Sequence, residues 1–174
     1  MTTNIFRPIK FGKEVFHPKS YDENSFVMDW TMEAGGMVPP HKHEFMDEHF
    51  LITKGEVKFK VNSKTVVKKQ GEEFLVPKGT PHSISNASGA PIGITVTYSP
   101  CSDTHRLFEM IATFDEANPG KVMNMLKSFY VGSRIGLKPF STPHPAFANS
   151  IINFIITVTG KASGWDKLVE QFSK

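Results

Sequence analysis

Three histidines and one glutamate have the types and spacing expected of metal ligands. His41, His43 and Glu48 follow one another closely, and His82 lies further along, in a second segment rich in glycine and proline. Imidazole nitrogens with one carboxylate suit Fe, Mn, Ni, Cu, Co or Zn, whereas Ca²⁺ and Mg²⁺ prefer oxygen ligands. We therefore expect one divalent transition metal ion here, with coordination positions left open for substrate, water or dioxygen.

The fold must bring these four side chains together from separate strands. His41 and His43 are two positions apart, so on a strand they point to the same side. Glu48 stands at the start of one predicted strand, and His82 stands at the start of a later one. A closed sheet would bring such inward side chains to one point.

Residues 25–100 contain the strands that a closed sheet requires. Large side chains alternate with others from Phe26 to Met32, and short strand-like segments follow, separated by turn residues. The two-residue link Asn62-Ser63 is typical of a β-hairpin. The further strand candidates are residues 49–53, 56–61, 64–69, 73–76, 82–86 and 91–98. About eight short strands without a helical period predict a mainly β fold, an antiparallel barrel or jelly roll.

One face of these strands carries the large side chains that should fill the barrel. The residues of this inward parity are Phe26, Met28, Trp30, Phe50, Phe59, Ile84, Val96 and Tyr98. Most should form the core, and those near the metal should line an apolar cavity.

After residue 100 the apolar period becomes helical. The predicted helices cover residues 107–114, 122–130, 147–158 and 165–172, with Gly160 ending the third and a proline-rich loop at 139–145. We divide the chain into an N-terminal arm (1–24), a β-barrel (25–100) and a helical C-terminal extension (101–174). The extension cannot bury its apolar faces alone, so it either packs on the outside of the barrel or serves a subunit interface.

The segments around the candidate ligands match the spacing of a known family. The first reads Gly-x5-His-x-His-x4-Glu-x6-Gly, and the second reads Gly-x5-Pro-x-Gly-x2-His-x3-Asn. These positions are filled by Gly35, His41, His43, Glu48, Gly55, Gly71, Pro77, Gly79, His82 and Asn86. They are the two signature motifs of the cupin superfamily, and residues 25–100 resemble a single-domain cupin with an RmlC-like jelly roll.

The resemblance implies a jelly-roll barrel that binds one metal ion through His41, His43, Glu48 and His82. It also implies a homodimer, because cupins often pair through their sheets. The family includes dioxygenases, decarboxylases, isomerases, receptors and seed storage proteins. Fold and ligand set therefore do not select a reaction.

The charge pattern argues against a nucleic-acid partner. Lysine and arginine exceed aspartate and glutamate by only 3, although lysines cluster between residues 54 and 69. Lys58 and Lys60 alternate with Val57 and Phe59, which indicates the solvated outer face of a strand.

The sequence also indicates a cytoplasmic location. Cys101 is the only cysteine, so an internal disulfide is impossible, which suits a reducing compartment. Residues 1–10 lack the apolar segment of a secretory signal. The most apolar run, residues 146–159, is too short and too polar to span a bilayer. We expect no membrane partner.

The arginines bear on the substrate class. None of Arg7, Arg106 and Arg134 lies in a predicted barrel strand. Arginine is the usual anchor for carboxylates and phosphates. An apolar or aromatic small molecule therefore fits this pocket better than an anionic one. Arg106 could still reach the pocket from the helical extension.

Three functions follow from these features. The first is a dioxygenase-like metalloenzyme acting on a small apolar or phenolic molecule, with Glu48 doubling as a proton acceptor. The second is a non-catalytic, metal-dependent binding or sensory cupin whose helical extension carries the signal. The third is a purely structural role, in which losing His41 or His82 would change nothing.

Other polar residues are expected to be structural. Asn86 should stabilise a turn, and His49 should face away from Glu48. Cys101 should be a buried small side chain, with no paired histidine to activate it. The remaining histidines, expected to be ordinary, are His17, His105 and His144.

Overall fold

A computed structural model of the chain describes residues 5–138, 141 and 146–173. These residues form ten strands followed by four helices. The strands are β1 (Ile9–Phe11), β2 (Glu14–Tyr21), β3 (Phe26–Met32), β4 (Met37–His41), β5 (Asp47–Lys54), β6 (Glu56–Val61), β7 (Lys64–Lys69), β8 (Glu73–Val76), β9 (His82–Ser85) and β10 (Ile92–Ser99). The helices are α1 (Thr104–Ala117), α2 (Val122–Arg134), α3 (Ala146–Ala162) and α4 (Asp166–Phe172).

The strands form two antiparallel sheets. The six-stranded sheet has the order β1-β2-β3-β10-β5-β8, and the four-stranded sheet has the order β4-β9-β6-β7. The prediction of a mainly β jelly-roll fold followed by a helical C-terminal segment is confirmed.

The clearest alternating segments became strands at the predicted positions. Strands β6, β7 and β8 have the predicted bounds, and Val61 pairs with Lys64 across the Asn62-Ser63 turn. Asn62 adopts a positive φ of 52°, which this tight turn requires and asparagine tolerates. Lys58 and Lys60 are exposed, as predicted, while Val57 and Phe59, before and between them, are buried.

Residues 9–21 belong to the six-stranded sheet. Strand β2 pairs with β1 on one side and with β3 on the other. A register shift lies between Pro18 and Ser20, because proline cannot donate to the ladder. Because β2 is paired on both sides, its side chains contribute to the wall of the barrel.

The barrel core contains the side chains of the predicted inward parity. The buried members are Phe26, Met28, Trp30, Phe50, Phe59, Ile84, Val96 and Tyr98. Phe108 and Ala112 of α1 belong to the same apolar cluster, and the Phe108 ring stacks on Phe26 at 5.1 Å between centroids. Helix α1 thus packs against the barrel.

The helices, α1 included, form a second apolar cluster around Tyr130, which is fully buried. The prediction that Gly160 ends a helix is wrong, since α3 continues through it to Ala162. Gly160 faces the Tyr130 ring, and a Cβ at this position would overlap ring carbons. A glycine at this position allows α3 to pack closely against the Tyr130 ring of α2.

Helix α3 leaves part of its apolar surface uncovered. Phe154, Ile155 and Val158 are each at least half exposed. The predicted loop at 139–145 lies outside the described residues except for Ser141, and so does His144. None of the described helices is long and apolar enough to cross a membrane.

Candidate metal centre

The four candidate ligands come from three strands and one loop. His41 ends β4 and pairs directly with His82, the first residue of β9. Glu48 is the second residue of β5, in the other sheet. His41 and His43 do not share a strand, because β4 ends at His41 and His43 lies in the loop before β5.

The structure brings one ligand atom of each residue within 4.8 Å of the others. Glu48 Oε2 lies 2.8 Å from His82 Nε2 and 3.2 Å from His43 Nε2. The ring centroids of His41 and His82 are 4.3 Å apart. His43, Glu48 and His82 are buried, and His41 is partly exposed.

Backbone carbonyls orient two of the imidazoles. The Nδ1 atom of His41 lies 2.9 Å from the carbonyl oxygen of Pro39, and the Nδ1 atom of His82 lies 3.0 Å from that of Thr80. With each Nδ1–H donating to its carbonyl, Nε2 is the nitrogen left for a metal ion, which would replace the proton that His82 Nε2 shares with Glu48. Such outer contacts position metal-ligating histidines.

Burial and hydrogen bonding set the protonation states of the cluster. Burial opposes ionisation of Glu48, but the hydrogen bonds with His43 and His82 outweigh it and hold the pKa of this carboxyl far below its usual range. Burial lowers the pKa of His41 to about 4, although the charge of Glu48 acts the other way. A charged carboxylate and a neutral imidazole are the forms that bind metals.

Tyr98 supports the carboxylate from the neighbouring strand. It pairs with Glu48 in the ladder between β10 and β5. Burial raises the pKa of Tyr98 well above its ordinary value, and a hydrogen bond with Glu48 adds to the shift. The phenol therefore stays protonated beside the charged carboxylate.

A cavity of about 270 Å³ adjoins the cluster. His41, His43 and Glu48 form part of its wall, and most of the remainder is apolar. The apolar lining from the barrel is Phe11, Phe16, Met28, Trp30, Met37, Val38, Pro39, Pro40 and Ile84. Helices α1 and α2 supply Leu107, Phe108, Ile111, Met125 and Phe129. The first two helices of the C-terminal segment thus form one side of the cavity.

The arginines lie elsewhere in the described part of the chain. Arg7 forms an ion pair with Asp115 at 3.1 Å, and Arg134 lies over the ring of Tyr130. Arg106 is directed to the carbonyl oxygen of Phe172 at 3.5 Å. None of the three lines the cavity.

Two of the residues expected to be structural are confirmed as such. The Asn86 amide donates to the carbonyl oxygens of Met32 (3.0 Å) and Ala90 (2.9 Å), which fixes the turn after β9. His49 faces away from the cluster and pairs with Glu73 at 3.1 Å.

The environment of Cys101 differs from the expectation in one respect. The thiol is buried, as predicted. The expectation that no histidine accompanies it is wrong, because His105 Nδ1 lies 3.4 Å from Sγ. The first turn of α1 brings His105 back towards Cys101. Burial nevertheless raises the pKa of this thiol, which disfavours a nucleophile.

Sequence reasoning missed Glu14, a buried carboxylate on β2 that lines the same cavity. Burial raises the pKa of Glu14 to about 7. A signal was present: Gly12 and Lys13 form a two-residue link, Gly12 has a φ of +54°, and Phe11 pairs with Glu14. This hairpin would have placed Glu14 in the sheet.

Residues 28–98 match the model of the cupin domain. In this part the chain is similar to cupin domains, and a helical region follows it. An RmlC-like cupin from Shewanella frigidimarina NCIMB 400 is 16% identical with a TM-score of 0.53, over 57% of this chain and 88% of that chain. The cupin domain of Schizosaccharomyces pombe Cnp3 is 21% identical with a TM-score of 0.51, over 57% of this chain and 74% of that one. Both likenesses concern the fold alone. No curated protein matches the sequence.

Proposed function

We propose that this cupin holds one divalent transition metal ion on His41, His43, Glu48 and His82. The observation that carries this proposal is the convergence of their four ligand atoms within 4.8 Å. The donor set fits such an ion, because three imidazoles and one carboxylate are typical ligands of Fe, Mn, Ni, Cu, Co and Zn. A charged carboxylate that is only 1% exposed is also costly to bury without a cation.

We further propose that the metal site serves a dioxygenase-like oxidoreductase acting on a small apolar or phenolic molecule. A bound transition metal would supply Lewis-acid or redox chemistry at the edge of the cavity. The protein would bind an apolar substrate through the aromatic and aliphatic wall, and helices α1 and α2 would limit access of water. The absence of arginine from the described lining supports an uncharged substrate.

Glu48 fits the role of ligand better than that of proton acceptor. Its hydrogen bonds with His43 and His82 hold its pKa far below the usual range, which makes it a weak base. The proposal that Glu48 also accepts a proton stays a prediction, and this low pKa weighs against it.

A non-catalytic sensory or binding function is the second candidate. The observation that favours it is the lining of the cavity by Leu107 and Phe108 of α1 and by Met125 and Phe129 of α2. A ligand in the cavity would contact the helical segment directly, so its occupancy could change how that segment packs. The homodimer and the cytoplasmic location stay predictions alongside both candidates.

Anaerobic metal loading followed by oxygen-uptake measurements separates these candidates. Purified protein would be loaded with Fe, Mn, Ni or Cu, analysed for metal content, and screened against phenols and diketones. One bound ion with oxygen uptake and product formation supports the enzyme. Metal-dependent thermal stabilisation by a ligand without product supports the sensory protein. Failure of every metal to bind at this cluster would refute both.

A further inference from the structure

The cavity contains a second polar patch on strands β2 and β3. Glu14 is 7% exposed and Trp30 is 3% exposed, and both line the cavity. Within the described part of the chain, the indole Nε1 of Trp30 is buried without a hydrogen-bond partner. The carboxylate of Glu14 likewise makes no hydrogen bond or ion pair with the described residues.

The strand register makes these two groups neighbours. Glu14 pairs with Met32, and Phe16 pairs with Trp30. Glu14 and Trp30 are therefore diagonal neighbours on one face of the antiparallel sheet, with Cβ atoms roughly 7 Å apart. Both residues line the cavity, whose other walls are mostly apolar.

Neither polar group stabilises the fold as it stands. A buried N–H without an acceptor loses its hydrogen bond to water, and a buried carboxylate without a partner loses more. Burial alone raises the pKa of Glu14, with no hydrogen bond to counteract it. A ligand that pairs with both groups would remove this cost.

We propose that Glu14 and Trp30 form a hydroxyl-binding subsite for an otherwise apolar ligand. The indole N–H donates to the hydroxyl oxygen, and the hydroxyl proton is donated to the Glu14 carboxylate. A hydroxyl suits this pair because its single oxygen both accepts and donates. An ammonium group offers no acceptor to the indole, and a carboxylate would be repelled by ionised Glu14. The inference rests on the proposed small-molecule cavity and deepens it by naming neutral phenols and alcohols as the ligand class.

Phenol and toluene are matched probes for this subsite, because they differ by a hydroxyl in place of a methyl group. Their affinities would be measured by calorimetry on the full chain after chelation of metal. We expect phenol to bind about fivefold to tenfold more tightly than toluene beyond their difference in hydrophobicity. Phenol should also shift the Trp30 indole N–H resonance downfield, whereas toluene should not. The signal would be assigned with Trp165→Phe.

Variants identify the groups responsible for the preference. Glu14→Leu and Trp30→Phe should each abolish the preference for phenol over toluene. Glu14→Gln retains an acceptor and should keep part of the preference. Thr104→Val is the matched control, because this cavity hydroxyl already donates to Met46 Sδ at 3.2 Å. The wild-type indole shift provides a test that does not depend on any variant folding.

A parallel arm with metal-loaded protein separates this proposal from the proposed metal function. If metal does not bind but metal-free protein still prefers phenol through Glu14, the subsite stands and the metal proposal fails. If the preference appears only with metal and survives Glu14→Leu, the hydroxyl binds the metal and the subsite is refuted. Equal binding of the two probes, or binding of neither, also refutes it.

Discussion

His41 and His82 face each other across the ladder between β4 and β9, and each is oriented by the backbone two residues before it. The carbonyl oxygens of Pro39 and Thr80 lie 2.9 and 3.0 Å from their respective Nδ1 atoms. The same local contact thus orients both rings, and the Nε2 atom of His82 lies 2.8 Å from Glu48 Oε2. The backbone itself prepares these imidazoles as ligands.

Removal of His82 should abolish stoichiometric metal binding. His82→Ala takes away a buried ligand that contacts Glu48 at 2.8 Å. The loss of affinity should exceed the roughly 10- to 100-fold effect of removing an outer contact. Titration with Co²⁺ followed by absorption spectroscopy would measure it. His49→Ala is the control, since this exposed histidine lies outside the cluster and its loss should leave affinity unchanged. Wild-type affinity in His82→Ala would contradict the proposed ligand set.

The barrel was predictable from the sequence where side chains alternate without interruption. Strands β3 and β6 have this pattern, and their bounds were predicted. Strand β4 was missed because Pro39-Pro40 interrupts it and a register shift lies between Val38 and His41. The ligand cluster was predictable because the spacing of the two motifs along the sequence does not depend on these irregularities.

The rest of the cavity depends on contacts between distant parts of the chain. Glu14 comes from β2 and Phe108 from α1, and both reach the cavity through tertiary packing. No local period indicates which helix covers the barrel, because an amphipathic face does not specify its partner. For the same reason, the sequence alone could not show that Gly160 packs against the Tyr130 ring of another helix.

Stability should depend on pH through Glu14. Burial raises its pKa in the folded state to about 7 from an ordinary 4.5, so the folded protein binds more protons than the unfolded chain between these values. Wild-type protein should therefore lose stability relative to Glu14→Gln as pH rises from about 4.5 to about 7, by roughly 3 kcal/mol at most. Urea unfolding of chelated protein at pH 5 and pH 8 would measure the difference. A difference that does not change with pH would show that Glu14 ionises freely.

Cys101 should react slowly despite its neighbouring histidine. The thiol is 2% exposed, and burial raises its pKa even though His105 lies 3.4 Å away. Reaction with a disulfide reagent should be more than about 100-fold slower in native protein than in urea-unfolded protein. His105→Ala should leave the native rate unchanged. Rapid native labelling that His105→Ala abolishes would instead identify an activated thiol.

Two helical glycines should respond in opposite directions to alanine. A Cβ at Gly160 would overlap the Tyr130 ring, whereas a Cβ at Gly132 would make ordinary contacts with the flexible end of Met110 at 3.4 Å and with Leu137 at 3.8 Å. Overpacking should make Gly160→Ala less stable by roughly 1–3 kcal/mol, even after the gain in helix propensity. Gly132→Ala should be neutral or more stable by up to about 1 kcal/mol, because alanine favours the helix. Urea unfolding followed by circular dichroism compares the two variants, with coincident fluorescence transitions as a check on two-state behaviour. Equal or greater stability of Gly160→Ala than wild type would show that α3 does not pack closely on Tyr130.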